Sequence, residues 1–170
     1  RMGLLVRTMG EATRIEHAIG AAEHEPFDLA TLLAGVGEGY RDVLAPRRLR
    51  VEGVDGACPF TGAPELLVQA LDKLIDNARG FTPEDGEVGI ALKRAGRELL
   101  IEVSNTGPRL PEAMRHRLFD SLVSMRERSR GADGAVHLGF GLHVVKLVAM
   151  AHGGSAEAED LPDGSGAVFR

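Results

Sequence analysis

The sequence predicts an α/β sandwich: a mixed, mainly antiparallel sheet covered on one face by helices. Three observations carry this. Apolar residues recur at three- and four-residue spacing along Leu29–Leu44 and Leu67–Ala78, and helical pattern returns from Gly141 to the Gly153-Gly154 stop. Val88, Ile90 and Leu92 alternate, and so do Leu99, Ile101 and Val103 after the turn at Ala95-Gly96-Arg97, which is the pattern of an antiparallel return. The 170 residues, 44% hydrophobic and 26% charged, suffice for one packed domain plus an extra element.

Each element follows from local chemistry. Residues 4–23 read as an amphipathic helix, with Leu5, Met9, Ala12, Ile15 and Ile19 recurring among Arg7, Glu11, Arg14 and Glu16. Such a terminal helix either packs on a partner helix or belongs to the core, and its pattern does not choose. Glu25-Pro26-Phe27-Asp28 breaks it, because proline disfavours helix in the residue before it. Asp28 is a good N-cap for the helix carrying Leu29, Leu32, Leu33, Val36, Tyr40, Val43 and Leu44, which Pro46 ends. Leu49–Val54 alternates as a strand. Pro64 suits the first turn of the helix whose apolar face is Leu67, Leu71, Leu74, Ile75 and Ala78. Thr82-Pro83-Glu84-Asp85-Gly86 is a turn. A short helix is expected after Pro111, with Met114 and Leu118 inward. Periodicity then vanishes over residues 121–138, which read as a long loop, and long loops in compact domains are usually functional or mobile.

Composition excludes several classes. A net charge of −5 argues against a nucleic-acid binder working through a broad basic field. A single cysteine, Cys58, allows neither an internal disulfide nor a cysteine-based zinc site, and fits a reducing, cytoplasmic setting. No apolar run approaches bilayer length and no signal peptide is visible. The chain starts at Arg1 and ends on the strand-like run Gly166–Arg170, as expected for a piece of a longer protein.

Four segments carry chemistry. Lys73, Asn77 and Gly80 fall at i, i+4 and i+7 on one helix face. An asparagine oxygen suits a magnesium ion that also holds phosphate, and a lysine one turn away can neutralise phosphate charge. Asn105-Thr106-Gly107-Pro108 follows a strand. Gly107 lets backbone approach a flat ligand, and the Asn105 carboxamide can accept from an exocyclic amine. Leu118-Phe119-Asp120 leads to Arg126, Arg128 and Arg130, whose guanidinium groups can close over phosphates. Gly139-Phe140-Gly141-Leu142 opens a helix whose backbone N–H groups and dipole can face a phosphate. Alone, each segment is a weak signal: the first reads more readily as a solvated helix face, and the others also fit an ordinary turn, a basic loop and a plain helix start.

In this order and spacing the four segments resemble the N, G1, F and G2 boxes of the catalytic, ATP-binding domain of sensor histidine kinases, in the wider GHKL superfamily. The likeness covers about residues 26–170, closing on His152-Gly153-Gly154. Residues 1–25 look like the end of a dimerisation and phosphotransfer helix with its connection. The run Leu118–Arg126 is most similar to kinases of the proteobacterial dedicated sortase system. The resemblance implies the Bergerat fold and a histidine kinase that uses ATP and Mg2+. It implies Asn77 as the magnesium ligand and Asn105 in the place of the usual adenine-binding aspartate. Gly107, Gly139 and Gly141, with Leu142, line base and phosphates, and Phe81 and Arg79 lie near the nucleotide. It further implies a homodimeric, inner-membrane parent with its catalytic part in the cytoplasm, a response regulator downstream, and an acceptor histidine elsewhere.

This chain departs from the family pattern at several positions. Lys73 stands where an asparagine is usual, Gly80 where a phosphate-contacting lysine is usual, and His137 where a glycine is usual. Lys73 on the same helix face then substitutes for the missing cation, and a lysine there cannot act as base toward water, so slow intrinsic hydrolysis is expected. His24-Glu25-Pro26 superficially resembles an acceptor motif, but the proline breaks the helix that the acceptor needs. The alternatives are a degenerate, purely regulatory nucleotide-binding module, or another ATPase or serine kinase of the superfamily.

Overall fold

The computed structural model describes residues 13–112, 117–120 and 140–170. Residues 13–21 form helix α1, in which Ile15 is buried while Ala18 and Ile19 pack against the core. The first half of that amphipathic pattern, and Met114 of the expected short helix, lie outside the described residues.

Glu25–Asp28 is more than a helix break. It forms strand β1, paired antiparallel with β3 (Pro59–Gly62) in the register Glu25↔Gly62 to Asp28↔Pro59. Pro26 keeps the chain extended, and the partner strand lies more than 30 residues away, beyond the reach of a local pattern. Helix α2 (Leu29–Leu44) starts where Asp28 caps it: the carboxylate accepts from the Thr31 N–H at 2.8 Å and from the Cys58 N–H at 2.9 Å. The Thr31 bond and then the Cys58 bond hold the Asp28 carboxyl below its ordinary range. Strand β2 (Arg48–Glu52) follows, with helix α3 (Pro64–Phe81) after β3.

Strands β4 (Glu87–Ala95) and β5 (Glu98–Thr106) make the central hairpin. Helix α4 (Phe140–Ala151) then precedes β6 (Ala158–Asp160) and β7 (Gly166–Phe169). The main sheet has the order β2-β4-β5-β7-β6. Among the described residues only β2 and β4 pair in parallel in this sheet, in line with the mixed, mainly antiparallel reading.

The two sheet faces differ. Val88 and Ile90 of β4, Val103 of β5 and Phe169 of β7 are buried on one face, with Leu71, Leu74 and Ile75 of α3 and Val144 and Val148 of α4 in the same core. The other face carries an ion-pair ladder. Buried Glu102 accepts from Lys93 and, at 2.8 Å, from Arg170, which also reaches Glu159 at 2.6 Å. Burial pushes the Glu102 carboxyl up, but the hydrogen bonds from Lys93 and Arg170 outweigh it and hold the group below the usual carboxylate range. Strand β5 also runs further than its alternation suggests. Ser104, Asn105 and Thr106 remain paired, opposite Gly89, Val88 and, on β7, Val168 to Gly166.

Candidate active site

Helix α3 buries Leu66, Leu67, Ala70, Leu71, Leu74, Ile75 and Ala78. The same 3.6-residue period leaves Lys73, Asn77 and Gly80 in a row on an uncovered side. Lys73 is exposed and Asn77 half-buried. Neither side chain has a hydrogen bond or ion pair among the described residues. Arg79 belongs to a different row, about 100° around the helix. That row holds Asp72 and Asp76 and faces α2, where the Tyr40 hydroxyl donates to Asp72 at 2.8 Å. Burial first, and the Asp72 carboxylate second, push the Tyr40 phenol far above its ordinary value.

The far end of α3 meets the end of β5. The Thr82 hydroxyl donates to the Ala78 carbonyl at 2.6 Å, and Arg47 Nε donates to the Thr82 carbonyl at 2.8 Å, which pins the last turn. Phe81 remains 45% exposed. Gly107 has φ +148°, and a Cβ on it would lie 2.4 Å from the Phe81 carbonyl oxygen. The glycine is therefore what lets the turn after β5 close on the helix. Beside it, Asn105 is only 3% exposed, on the helix-covered sheet face. Its Nδ2 donates to the Thr106 carbonyl at 3.1 Å, while Oδ1 accepts no hydrogen bond among the described residues. A buried carboxamide oxygen without a donor costs about 1–3 kcal/mol. That cost is removed when a ligand N–H arrives.

The near end of the row meets α4. A Cβ on Gly141 would lie 3.5 Å from Lys73 Cβ and 3.6 Å from its Cδ, so the lysine stem runs along the first turn of α4. Gly141 is part-exposed, whereas the Leu142 side chain is buried in the core, so Leu142 would reach a phosphate only through its backbone. Arg126, Arg128, Arg130, His137 and Gly139 lie outside the described residues, as do residues 121–126 of the run compared above with sortase-system kinases.

Some positioning groups were not legible as such. Phe119 is buried, packs edge-on to Phe169 with ring centres 6.4 Å apart, and accepts through its carbonyl from His143 Nδ1 at 3.1 Å. Asp120 pairs with Lys146 at 3.3 Å. These contacts tie the Leu118-Phe119-Asp120 segment to α4. The pairing of Lys146 with Asp120 crosses 26 residues and leaves no local signal.

The row thus runs along α3 from Lys73 to Phe81, eight residues or about 12 Å. Its phosphate-compatible end is a glycine helix start beside a cation. At its opposite end stand Gly107, the exposed Phe81 ring and the Asn105 carboxamide, whose oxygen has no donor among the described residues. This defines an α/β sandwich built to hold a nucleotide. Residues 62–170 match the family described as histidine kinase-, DNA gyrase B-, and HSP90-like ATPase. The chain is 26% identical over 177 residues to the sensor protein ChvG of Agrobacterium fabrum, covering 99% of this chain and 29% of that one. It is 35% identical over 121 residues to the sensor protein DivL of Caulobacter vibrioides, covering 71% and 15%. Full-length ShkA, solved in complex with AMPPNP, superposes with a TM-score of 0.73 at 25% identity, covering 97% of this chain and 34% of that one. The chain belongs to the histidine kinase-, DNA gyrase B- and HSP90-like ATPase family and is an ATP-binding catalytic domain of the sensor histidine kinase type. It spans less than a third of the length of the two curated relatives just compared.

Proposed function

We propose that this domain binds Mg-ATP in the α3 groove and delivers the γ-phosphoryl group to a histidine that lies outside these residues. The carrying observation is the convergence of polar groups that have no partner among the described residues, Lys73, Asn77 and the buried Asn105 oxygen, with the backbone openings at Gly107 and Gly141. Asn105 accepts from the adenine amine, Gly107 admits the ring, and Phe81 covers it. The first turn of α4 offers N–H groups and its dipole to the phosphates, and Lys73 supplies the cation that Gly80 cannot.

Magnesium fits the residues present. Asn77 offers one neutral oxygen that no other group among the described residues holds, and a phosphate-borne cation needs few protein ligands. When bound, the ion neutralises phosphate charge. The chain itself supplies positioning and electrostatic stabilisation rather than a nucleophile. A nitrogen of the incoming imidazole bonds to the γ-phosphorus, the bond to the bridging oxygen breaks, and ADP leaves with that electron pair. By the family resemblance Lys73 takes the place where related ATPases carry a carboxylate base toward water, and a lysine does not supply that base, so hydrolysis slow relative to transfer is expected.

The same reading makes residues 1–25 the end of a dimerisation and phosphotransfer helix, residues 26–170 the catalytic domain, and a response regulator the downstream partner. The parent is then a homodimer with this domain in the cytoplasm and its anchor elsewhere. Among the described residues no helix is long and apolar enough to cross a membrane. His24 is poorly placed to accept phosphate. It stacks on His152, which follows the end of α4, eleven residues or roughly 16 Å from Gly141.

Calorimetric titration with ATP, with and without magnesium, tests the reading. Magnesium-dependent binding that Lys73→Ala weakens about tenfold is the expected result. Binding indifferent to magnesium sinks the kinase reading, and an unchanged Lys73→Ala sinks the role of that lysine.

A further inference from the structure

Helices α3 and α4 run antiparallel. The front of α4, at Gly141, lies beside Lys73, and its rear, at His152, lies beside Ala63 at the start of α3. The rear contact is specific. Ala63 is the N-cap of α3 and offers no side-chain cap, but its own N–H donates to His152 Nε2 at 2.9 Å. Nε2 is therefore an acceptor, Nδ1 carries the hydrogen, and Nδ1 donates to the Val148 carbonyl at 2.8 Å. One imidazole thus joins both helices with both nitrogens used. Gly62 makes room for it: a Cβ there would lie 2.7 Å from His152 Cδ2.

The same ring carries the connection that enters the domain. The His24 ring lies parallel to it, with centres 5.1 Å apart and planes 12° apart. The next residue, Glu25, begins the β1–β3 pairing opposite Gly62, and the Leu29 N–H donates to the Cys58 carbonyl at 2.8 Å. The connection is therefore seated on the rear of the helix pair whose front, at Lys73 and Gly141, is the nucleotide site proposed above.

We propose that the His24–His152 stack couples nucleotide occupancy at the front of the α3–α4 pair to the seating of residues 22–28 at its rear. His152 is the positioning residue and His24 the part of the connection it holds. This rests on the nucleotide reading above. The pair can transmit because its helices pack in one core and meet at two places, Lys73 beside Gly141 and Ala63 bonded to His152, so a shift at one contact biases the other. Coupling of this kind is reciprocal: the nucleotide tightens the connection by the factor by which a seated connection favours nucleotide.

The experiment is amide hydrogen exchange of residues 25–29 in the whole chain. It is run with and without magnesium and a non-hydrolysable ATP analogue, with calorimetry on the same samples. Nucleotide is expected to slow exchange there about fivefold or more. His24→Ala, at an exposed position, removes that slowing while the thermal midpoint shows the domain still folded. His24→Phe, which keeps a flat ring over His152, restores it. Binding without slowing, or slowing that persists in His24→Ala, overturns the coupling alone. Absence of binding in the calorimeter overturns the nucleotide reading and the coupling with it.

Discussion

Replacing Gly141 by alanine separates the fold from the site. Among the described residues the nearest atoms to the new methyl are those of the Lys73 stem, at 3.5, 3.6 and 3.9 Å for Cβ, Cδ and Cγ, which is ordinary van der Waals contact. No positive φ is strained, and the position lies in the first turn of α4. Alanine is favoured over glycine within a helix by about 0.8–1.0 kcal/mol, and a first-turn site captures about half of that. For a domain of this size, 1 kcal/mol moves the thermal midpoint by about 2–4 °C. Gly141→Ala is therefore expected to raise the nucleotide-free midpoint by about 1–2 °C. Yet the methyl fills the gap between Lys73 and the first turn of α4, where the phosphates would lie. Displacing them by even part of a hydrogen bond costs about 1.4 kcal/mol, a tenfold loss of affinity. Circular dichroism melting without nucleotide and calorimetry with Mg-ATP measure the two effects. A lowered midpoint would refute the packing argument. Unchanged affinity would refute the placement of phosphates at this turn.

Other outcomes follow from the same geometry. Gly107→Ala forces a Cβ to within 2.4 Å of a backbone oxygen at φ +148°; overpacking and strain together are expected to cost about 2–4 kcal/mol, read by urea denaturation. Ile75→Ala, at a side chain with no exposed surface in the centre of α3, is expected to cost about 2–5 kcal/mol in the same assay. Glu102 has a depressed pKa, so its contribution is fully present above the ordinary carboxylate value of 4.5 and is lost as pH falls through the lower folded value. The acid limb of a stability-versus-pH curve is expected to flatten in Glu102→Gln, which cannot titrate, although the variant is less stable at neutral pH.

Legibility in the sequence followed the range of the forces involved. Helices α2, α3 and α4 were readable because an apolar face repeats within one segment, and Asp28 was readable as a cap because it bonds three residues away. The row of Lys73, Asn77 and Gly80 was readable for the same reason. Strand β1 was not, since four residues around a proline carry no alternation and their partner is β3. Arg79 shared a motif with Asn77, but its row on the helix turns toward Tyr40, which a linear pattern does not weigh.

What the sequence determined by itself was the period of each helix, the alternation of the central hairpin and the residue types offered to a nucleotide. Each of these is set by contacts within a few residues. It took the three-dimensional packing to show that Asn105 is buried with no donor to its oxygen among the described residues, that Gly107 closes on Phe81, and that Lys73 lies along Gly141. That packing alone decided, too, that His152 reaches Ala63 across 89 residues. Those facts depend on how the sheet and two antiparallel helices pack, and packing is a property of surfaces brought together from distant parts of the chain.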